Sequence, residues 1–416
     1  MSAVSTWFEI ALWKRILVAL VLGVIVGMVW GEGALSIKWI GDLFIRLIRM
    51  VVIPLVFVTL VSGVVSMGDP TKLGSLGVKT LALYMGTTLI AIVIGLLLAT
   101  LLQPGAGVDL SAATPNAVQE SVSLGERMMG IVPENPIAAL AEGNILAIIF
   151  FALLVGVSLL TIGEKGRPVA QFMDASSEVM LKITHWVMEV APFGVFALIA
   201  WVAGTQGVEA LVDVIKLALA AVLGFAAHTI IVHSSIMKFM LGLSPLNFFR
   251  GARDAMLVAF STSSSNATLP VSMSVAEENL GIKPIIASTV LPLGATINMD
   301  GTALYVGVVT LFAAQAFGIP LDLADYLIIA GATALVSIGT AGVPGASLFL
   351  MAAVMETIGI APDQIALVIG FILPFDRPLD MLRTVVNITG DLSVATAVAN
   401  WEGEFDREVF DRPMKY

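Results

Sequence analysis

Gly294-Ala-Thr-Ile-Asn-Met-Asp-Gly-Thr302 lies inside an apolar run that starts near Ile285 and continues past Leu311. A membrane helix needs about 20 apolar residues, and this run is long enough. Its centre nevertheless holds one Asn, one Asp, two Thr and two Gly. Freed backbone groups and a charge at membrane depth are tolerated only where protein or a cavity surrounds them. The stretch therefore reads as a broken helix buried in the middle of a membrane protein.

Three further breaks obey the same logic. They are Ser261-Thr-Ser-Ser-Ser-Asn-Ala-Thr-Leu-Pro270, Ser337-Ile-Gly-Thr-Ala-Gly-Val-Pro-Gly345 and Asp380-Met-Leu-Arg-Thr-Val-Val-Asn-Ile-Thr-Gly-Asp391. All lie after Pro245, so they point to one shared polar site. A small-residue break followed by a helix carrying Asn, Asp, Thr and Gly occurs twice. Two structural repeats meeting at a midplane site produce that alternation. The Ser-rich and Gly-rich breaks read as tips of re-entrant helical hairpins.

Composition sets the class. Of 416 residues, 58% are hydrophobic and 12% charged, against about 25% charged in a soluble domain. A soluble globule is excluded. The absence of cysteine excludes disulfides and thiolate sites. A net charge of −10 argues against a nucleic-acid partner. The run Ile16 to Trp30 has no small-residue cleavage site with a polar sequel, so it reads as a first membrane helix.

Ordinary spans are expected at Ile10–Trp30, Trp39–Met67, Leu76–Leu102, Ile137–Ile162, Val169–Ala203 and Val208–Leu243, with a polar outer loop over 103–136. Lys14, Arg15, Lys72, Lys79, Lys165, Arg167, Lys182, Lys238, Arg250, Arg253, Arg407, Arg412 and Lys415 fall in alternate loops or the termini, whereas the opposite loops hold Lys38, Arg127 and Lys216. The positive-inside rule then puts both termini in the cytoplasm, with an even number of spans. The expected fold is all-α: eight transmembrane helices plus two re-entrant hairpins.

On a helical step, Asp376, Asp380, Arg383, Thr384, Asn387 and Asp391 fall within about 60° of one line. Charges at the bilayer centre cost about 2.5–3.5 kcal/mol each, so they need partners or a ligand. Arg383 is a permanent cation with a planar fork suited to a carboxylate. Asp380, one turn earlier, suits an ammonium. Together they fit an amino acid with an acidic side chain. A second carboxylate would be met by hairpin-tip N–H groups and hydroxyls, where Ser264 and Ser265 sit.

Asp300 and Asp391 are embedded among oxygen donors: Thr296, Asn298 and Thr302 near one, Asn387 and Thr389 near the other. One carboxylate with neutral oxygens suits Na⁺ better than Ca²⁺. Tyr84, Thr87 and Thr88 share a helix face and offer further oxygens. Asp376 pairs on this reading with adjacent Arg377. His185, His228 and His233 read as packing or helix-contact residues. No P-loop or dinucleotide motif is present, and no Ser–His or Ser–Lys pair supports a hydrolase, so no enzyme activity is expected.

These four motifs, in this order, resemble the glutamate transporter homologue family, the dicarboxylate/amino acid:cation symporters. The likeness runs from the first span to about Glu404. It implies a homotrimer of elevator-type subunits with inverted repeats, in a prokaryotic inner membrane. Residues 1–75 and 104–207 would form the scaffold, 76–103 and 208–400 the transport domain, and 401–416 a cytoplasmic tail. By motif position, Arg383 would hold the side-chain carboxylate and Asp380 the amino group. Ser264, Ser265, Thr302, Val343, Thr384 and Asn387 would complete the substrate site. The implied Na⁺ sites are Gly294, Asn298, Asn387 and Asp391; Thr296, Met299, Ser337, Ile338 and Thr340; and Tyr84, Thr87, Thr88, Asn298 and Asp300.

Three departures stand out. Ser263 and Met381 replace an extra Arg found in many members, for which Arg377 is a conjectural substitute. Val306 stands where proton-coupled animal members have Glu, which argues for coupling to sodium alone. Asn266 and Ser347 occupy positions often filled by Ser and Gly. A C4-dicarboxylate or neutral amino acid remains an alternative substrate, opposed by Asp380 and Arg383 respectively. An anion-conducting channel is the alternative of another class.

Overall fold

The computed structural model describes residues 10, 12–66, 70–108, 129, 132–205, 209–338 and 346–412. Most of the expected outer loop, together with Thr340 and Val343, lies outside the described residues.

The first group of helices is α1 (Leu12–Trp30), α2 (Lys38–Ser66), α3 (Pro70–Leu102), α4 (Pro136–Glu142), α5 (Ile145–Ile162), α6 (Arg167–Glu189), α7 (Ala191–Thr205) and α8 (Glu209–Ala227). Their outer faces keep large apolar side chains exposed, among them Val18, Val21 and Ile25 on α1, Val93 and Leu97 on α3, and Ile215 and Leu219 on α8. Apolar surface on this scale marks contact with lipid tails. Five stretches among the described residues are long and apolar enough to cross a membrane: Lys14–Phe44, Leu76–Leu102, Ala147–Glu189, Ile215–Met240 and Pro284–Ala316. The protein is thus an all-α, multi-span membrane protein. The β-pairing among the described residues is a single isolated antiparallel bridge between Ile282 and Phe405.

Two expected spans are each divided. Val169–Ala203 is broken between α6 and α7, where Pro192 stands at the second residue of α7 and has no N–H to donate backwards. Ile137–Ile162 is broken at Gly143, whose φ of 81° ends α4, and Asn144 then caps α5 through the Ala147 N–H at 3.2 Å.

The second half comprises α9 (Pro245–Thr262), α10 (Ser265–Glu278), α11 (Pro284–Ile297), α12 (Asp300–Ala316), α13 (Leu323–Ile338), α14 (Ala346–Thr357), α15 (Pro362–Glu402) and α16 (Arg407–Asp411). α9 and α10, joined at Ser263, pack against each other as a helical hairpin, and α13 packs against α14. The first hairpin turns at Ser263, which takes a left-handed conformation (φ 52°), and Ser264 then caps α10 by accepting the Ala267 N–H at 3.2 Å. The Ser-rich run is therefore local turn chemistry as well as a polar tip.

Packing falls into two sets. α1 lies on α7, and α2 lies on α5, α6 and α7. α3 and α8 pack instead on α12 and α15, against which α9, α10, α11, α13 and α14 also pack. The stretch Pro284–Ala316 is apolar enough to span, yet its apolar window is entirely buried. The interrupted helix is thus shielded from lipid by its own protein, as its polar break requires.

Candidate functional site

α11 and α12 are separated by Asn298 and Met299, whose ψ angles of 80° and 50° leave the helix and free backbone groups at the break. Both neighbours of the break are buried. Asn298 Nδ2 donates to Asp391 Oδ1 at 2.9 Å and to the Asn387 carbonyl at 3.3 Å. Asn387 Oδ1 accepts the Gly301 N–H at 2.8 Å, and its Nδ2 donates to Met299 Sδ at 3.2 Å. The broken helix is therefore fastened to α15 through freed backbone groups and two amide side chains. Burying these polar groups without partners would cost about 1–3 kcal/mol each.

From the other side, α3 brings Tyr84, Thr87 and Thr88. The Thr87 hydroxyl donates to Asn298 Oδ1 at 3.4 Å, and the Thr88 hydroxyl to Asp300 Oδ1 at 2.6 Å. Tyr84 donates to the Val290 carbonyl at 3.0 Å. Gly294 faces the same place: a Cβ there would lie 2.5 Å from the Tyr84 hydroxyl and would also meet the Asp391 carboxylate. Carboxylate, amide, hydroxyl and carbonyl oxygens thus converge in a buried space, a donor set for a hard cation.

Thr296 and Ser337 use their hydroxyls otherwise, donating to the Leu293 carbonyl at 3.0 Å and the Ala334 carbonyl at 2.9 Å. Their side chains are committed to their own helices. Ile338 ends α13, at the edge of the described residues.

One turn and more before Asn387, the same face of α15 carries the charges. Arg383 is 2% exposed and its Nη2 donates to Asp380 Oδ1. Its Nη1 lies 3.6 Å from Asp376 Oδ1, and its guanidinium sits over the Tyr305 ring, 4.9 Å from the centroid. Arg377 reaches Asp380 Oδ2 at 3.4 Å. The expected pairing of Asp376 with Arg377 is therefore corrected: Asp376 faces Arg383, and Arg377 faces Asp380. The i, i+3 spacing of Arg377 and Asp380 puts them on one face, whereas adjacent residues point about 100° apart. Thr384 donates to the Asp380 carbonyl at 2.8 Å, and Thr302 is buried in the first turn of α12. Ser265 is buried at the start of α10, which packs on α15.

One pair escaped the sequence reading. His228 is not a mere packing residue: its Nε2 lies 3.0 Å from Asp300 Oδ2, with both side chains fully buried. The carboxylate accepts, so Nε2 carries the proton. His233 sets its ring edge-on to His228, with centroids 5.1 Å apart. Residues five apart on an α-helix point about 140° apart, which hid the relation. Here His228–Val232 forms a π-helical turn, whose wider winding swings both rings toward one side. His228, His233 and Asp300 each present a ligand atom within 4.8 Å of the others. His228→Ala would leave Asp300 Oδ2 buried without its donor, and thermal unfolding in detergent should show a loss of about 1–3 kcal/mol.

A buried, oxygen-lined break in a multi-span protein, one turn from a carboxylate–guanidinium cluster, is the construction of an ion-coupled solute carrier. The chain belongs to the sodium:dicarboxylate symporter family, whose model matches residues 12–401. It is 37% identical over 412 residues to the proton/sodium-glutamate symport protein of Geobacillus stearothermophilus, covering 96% of each chain. It is 36% identical to the proton/glutamate-aspartate symporter of Escherichia coli (strain K12), over 95% of this chain and 93% of that one. It is also 34% identical to a C4-dicarboxylate transport protein of Caulobacter vibrioides, over 97% and 98% of the two chains. The family transports solutes across membranes and performs no covalent chemistry on them.

Proposed function

We propose that this protein is a secondary active symporter that imports an acidic amino acid, aspartate or glutamate, together with Na⁺. The observation that carries this reading is the placement of Asp380 and Arg383 on the same face of α15 as Asn387 and Asp391. An amino acid with an acidic side chain brings one ammonium and two carboxylates. Arg383 supplies a fork for one carboxylate, and Asp380 an anion for the ammonium. The second carboxylate would be met at the first hairpin tip by Ser264 and Ser265, with Thr302, Val343, Thr384 and Asn387 around it.

Na⁺ would be held by Gly294, Asn298, Asn387 and Asp391, and by Tyr84, Thr87, Thr88, Asn298 and Asp300. A further position would use backbone oxygens of Thr296, Met299, Ser337, Ile338 and Thr340. The oxygen donors around the break fit that ion. Gly294→Ala tests this directly, because its methyl group would take the space beside Asp391 and Tyr84. Na⁺ affinity should fall at least about tenfold, or about 1.4 kcal/mol, in calorimetric titration of the purified protein.

The subunit would have eight spans and two re-entrant hairpins arranged as inverted repeats. Residues 1–75 and 104–207 would be the scaffold, 76–103 and 208–400 a transport domain that slides as an elevator, and 401–416 a tail. The two packing sets of helices support that division. A homotrimer in a bacterial plasma membrane, with both termini in the cytoplasm, completes the reading.

Relatives named for C4-dicarboxylates favour a second reading, in which the substrate lacks an ammonium. Proteoliposomes decide between them. Radiolabelled aspartate should accumulate against its gradient only with Na⁺ outside in excess, and excess succinate should compete weakly. Accumulation of succinate but not aspartate would favour the dicarboxylate reading. Current without coupled accumulation would favour a channel.

A further inference from the structure

We propose that Asp376 takes up one proton when the substrate carboxylate binds Arg383, so that substrate binding is linked to a proton at that residue. The inference rests on Arg383 receiving a carboxylate, as in the proposed function. It deepens that reading by naming a proton acceptor in the site.

Arg383 is held by two carboxylates of its own helix. The Asp380 contact is the tighter one, and Asp380 is fixed a second time by Arg377 at 3.4 Å. The Asp376 contact is looser, at 3.6 Å, and neither Arg383 Nη1 nor Asp376 Oδ1 makes a hydrogen bond among the described residues. An incoming carboxylate therefore meets Arg383 most easily at Nη1, where it displaces Asp376 and leaves Asp380 in place.

Charge balance then controls the fate of Asp376. Asp376 and Asp380 balance Arg377 and Arg383, so the cluster is neutral. Once Arg383 is shared with another carboxylate, Asp376 is a buried anion that has lost its counter-charge. It is 4% exposed. A buried carboxyl in that position sheds its charge by binding a proton. The other titratable or charged groups facing it supply no replacement cation. α12 contributes Tyr305, and α6 contributes His185 and Glu189 across a cavity. Glu189 is itself paired with Arg15 of α1 at 2.7 Å. Arg377, on α15, is engaged by Asp380.

The same cavity supplies a route. It has a volume of about 320 Å³ between α1, α6 and α15, and its polar lining includes His185, Glu189, Asp376, Arg377 and Asp380. That volume is large enough to admit water along its polar side, and His185 at its rim is exposed. The proton comes from water through this cavity. An O–H bond forms on the Asp376 carboxylate, and no other covalent bond changes. Val306, next to Tyr305, is apolar and removes one place for a proton while leaving Asp376 untouched.

Binding that takes up a proton weakens as pH rises. The dissociation constant for aspartate should increase by up to about tenfold per pH unit for one proton. The test is calorimetric titration of aspartate into the purified full-length protein at saturating NaCl. It uses pairs of buffers with different ionisation enthalpies across mildly acidic to mildly basic pH. Their difference counts protons taken up. The wild type should take up close to one per aspartate, and Asp376→Asn should take up none, with a flattened pH dependence. His185→Gln should keep the uptake, because His185 only borders the route. Wild-type binding without proton uptake overturns the inference alone, even if Asp376→Asn fails to fold. Undiminished uptake in a folded Asp376→Asn also overturns it. Failure of aspartate to bind the wild type at any NaCl concentration overturns the substrate reading and this inference with it.

Discussion

Arg383→Ala should lower aspartate affinity by about a hundredfold or more while leaving an ammonium partner in place. The expectation comes from burial. Arg383 makes its contacts in a dry site, between Asp380 and Asp376 and over the Tyr305 ring. A charge-assisted hydrogen bond there is not replaced by water. Losing one such partner costs a few kcal/mol, and each 1.4 kcal/mol is about tenfold. A neutral amino acid needs no fork, and Asp380 still meets its ammonium, so binding of serine or alanine should improve relative to aspartate. Arg383→Lys separates charge from geometry: it keeps the cation but loses the planar fork, and should fall between wild type and Arg383→Ala. Competition binding with aspartate, glutamate and alanine reads all three. The substitution also leaves two buried acids facing Arg377 alone, so thermal unfolding must confirm a folded variant. Aspartate affinity within a few-fold of wild type in folded Arg383→Ala would remove Arg383 from the substrate site.

The legible part of this site was the part written as local pattern. The run from Asp376 to Asp391 keeps α-helical phase throughout α15, so the sequence put six of its polar residues on one face. The break at Asn298 was equally plain, because an amide, a carboxylate and glycines have no place in a lipid-facing helix. Asn298 and Asp391 then meet at 2.9 Å, although 93 residues apart, because the break and the polar face of α15, which runs unbroken through the expected break at Asp380–Asp391, both need polar partners and the bilayer supplies none. Other features depended on geometry that residue type does not encode. The His228–His233 contact needs a π-turn that shifts the phase of the helix. The choice between Arg377 and Arg383 as partner of Asp376 depends on side-chain direction along α15, as well as on proximity in the chain. The division of the Val169–Ala203 run turned on Pro192, whose missing N–H matters only once the helix has been placed.

Substrate affinity should rise steeply with Na⁺, and Asp391→Asn should blunt that rise more than it disturbs the fold. The two sites share α15: Asp391 and Asn387 are on the face that carries Thr384 and Arg383, and Asn387 and Asn298 fasten that face to the broken helix. Without a cation, Asp391 and Asp300 are two buried carboxylates near the same amide, and the break must bear their repulsion. A cation among these oxygens would relieve it and fix the segment on which substrate depends. The coupling is reciprocal, so substrate must raise Na⁺ affinity by the same factor. One ion contributes about 1–3 kcal/mol of such coupling, and several linked ions multiply the effect on the dissociation constant. Asp391→Asn preserves volume and can still accept the hydrogen bond from Asn298, so the tie between α11 and α15 survives while the charge is lost. Calorimetric titration of aspartate at a series of NaCl concentrations, with choline chloride holding ionic strength constant, should give a steep log–log slope for wild type and a shallower one for the variant. A wild-type affinity that does not change with NaCl would remove Asp300 and Asp391 from the cation sites, and with them the physical basis for sodium symport by this chain.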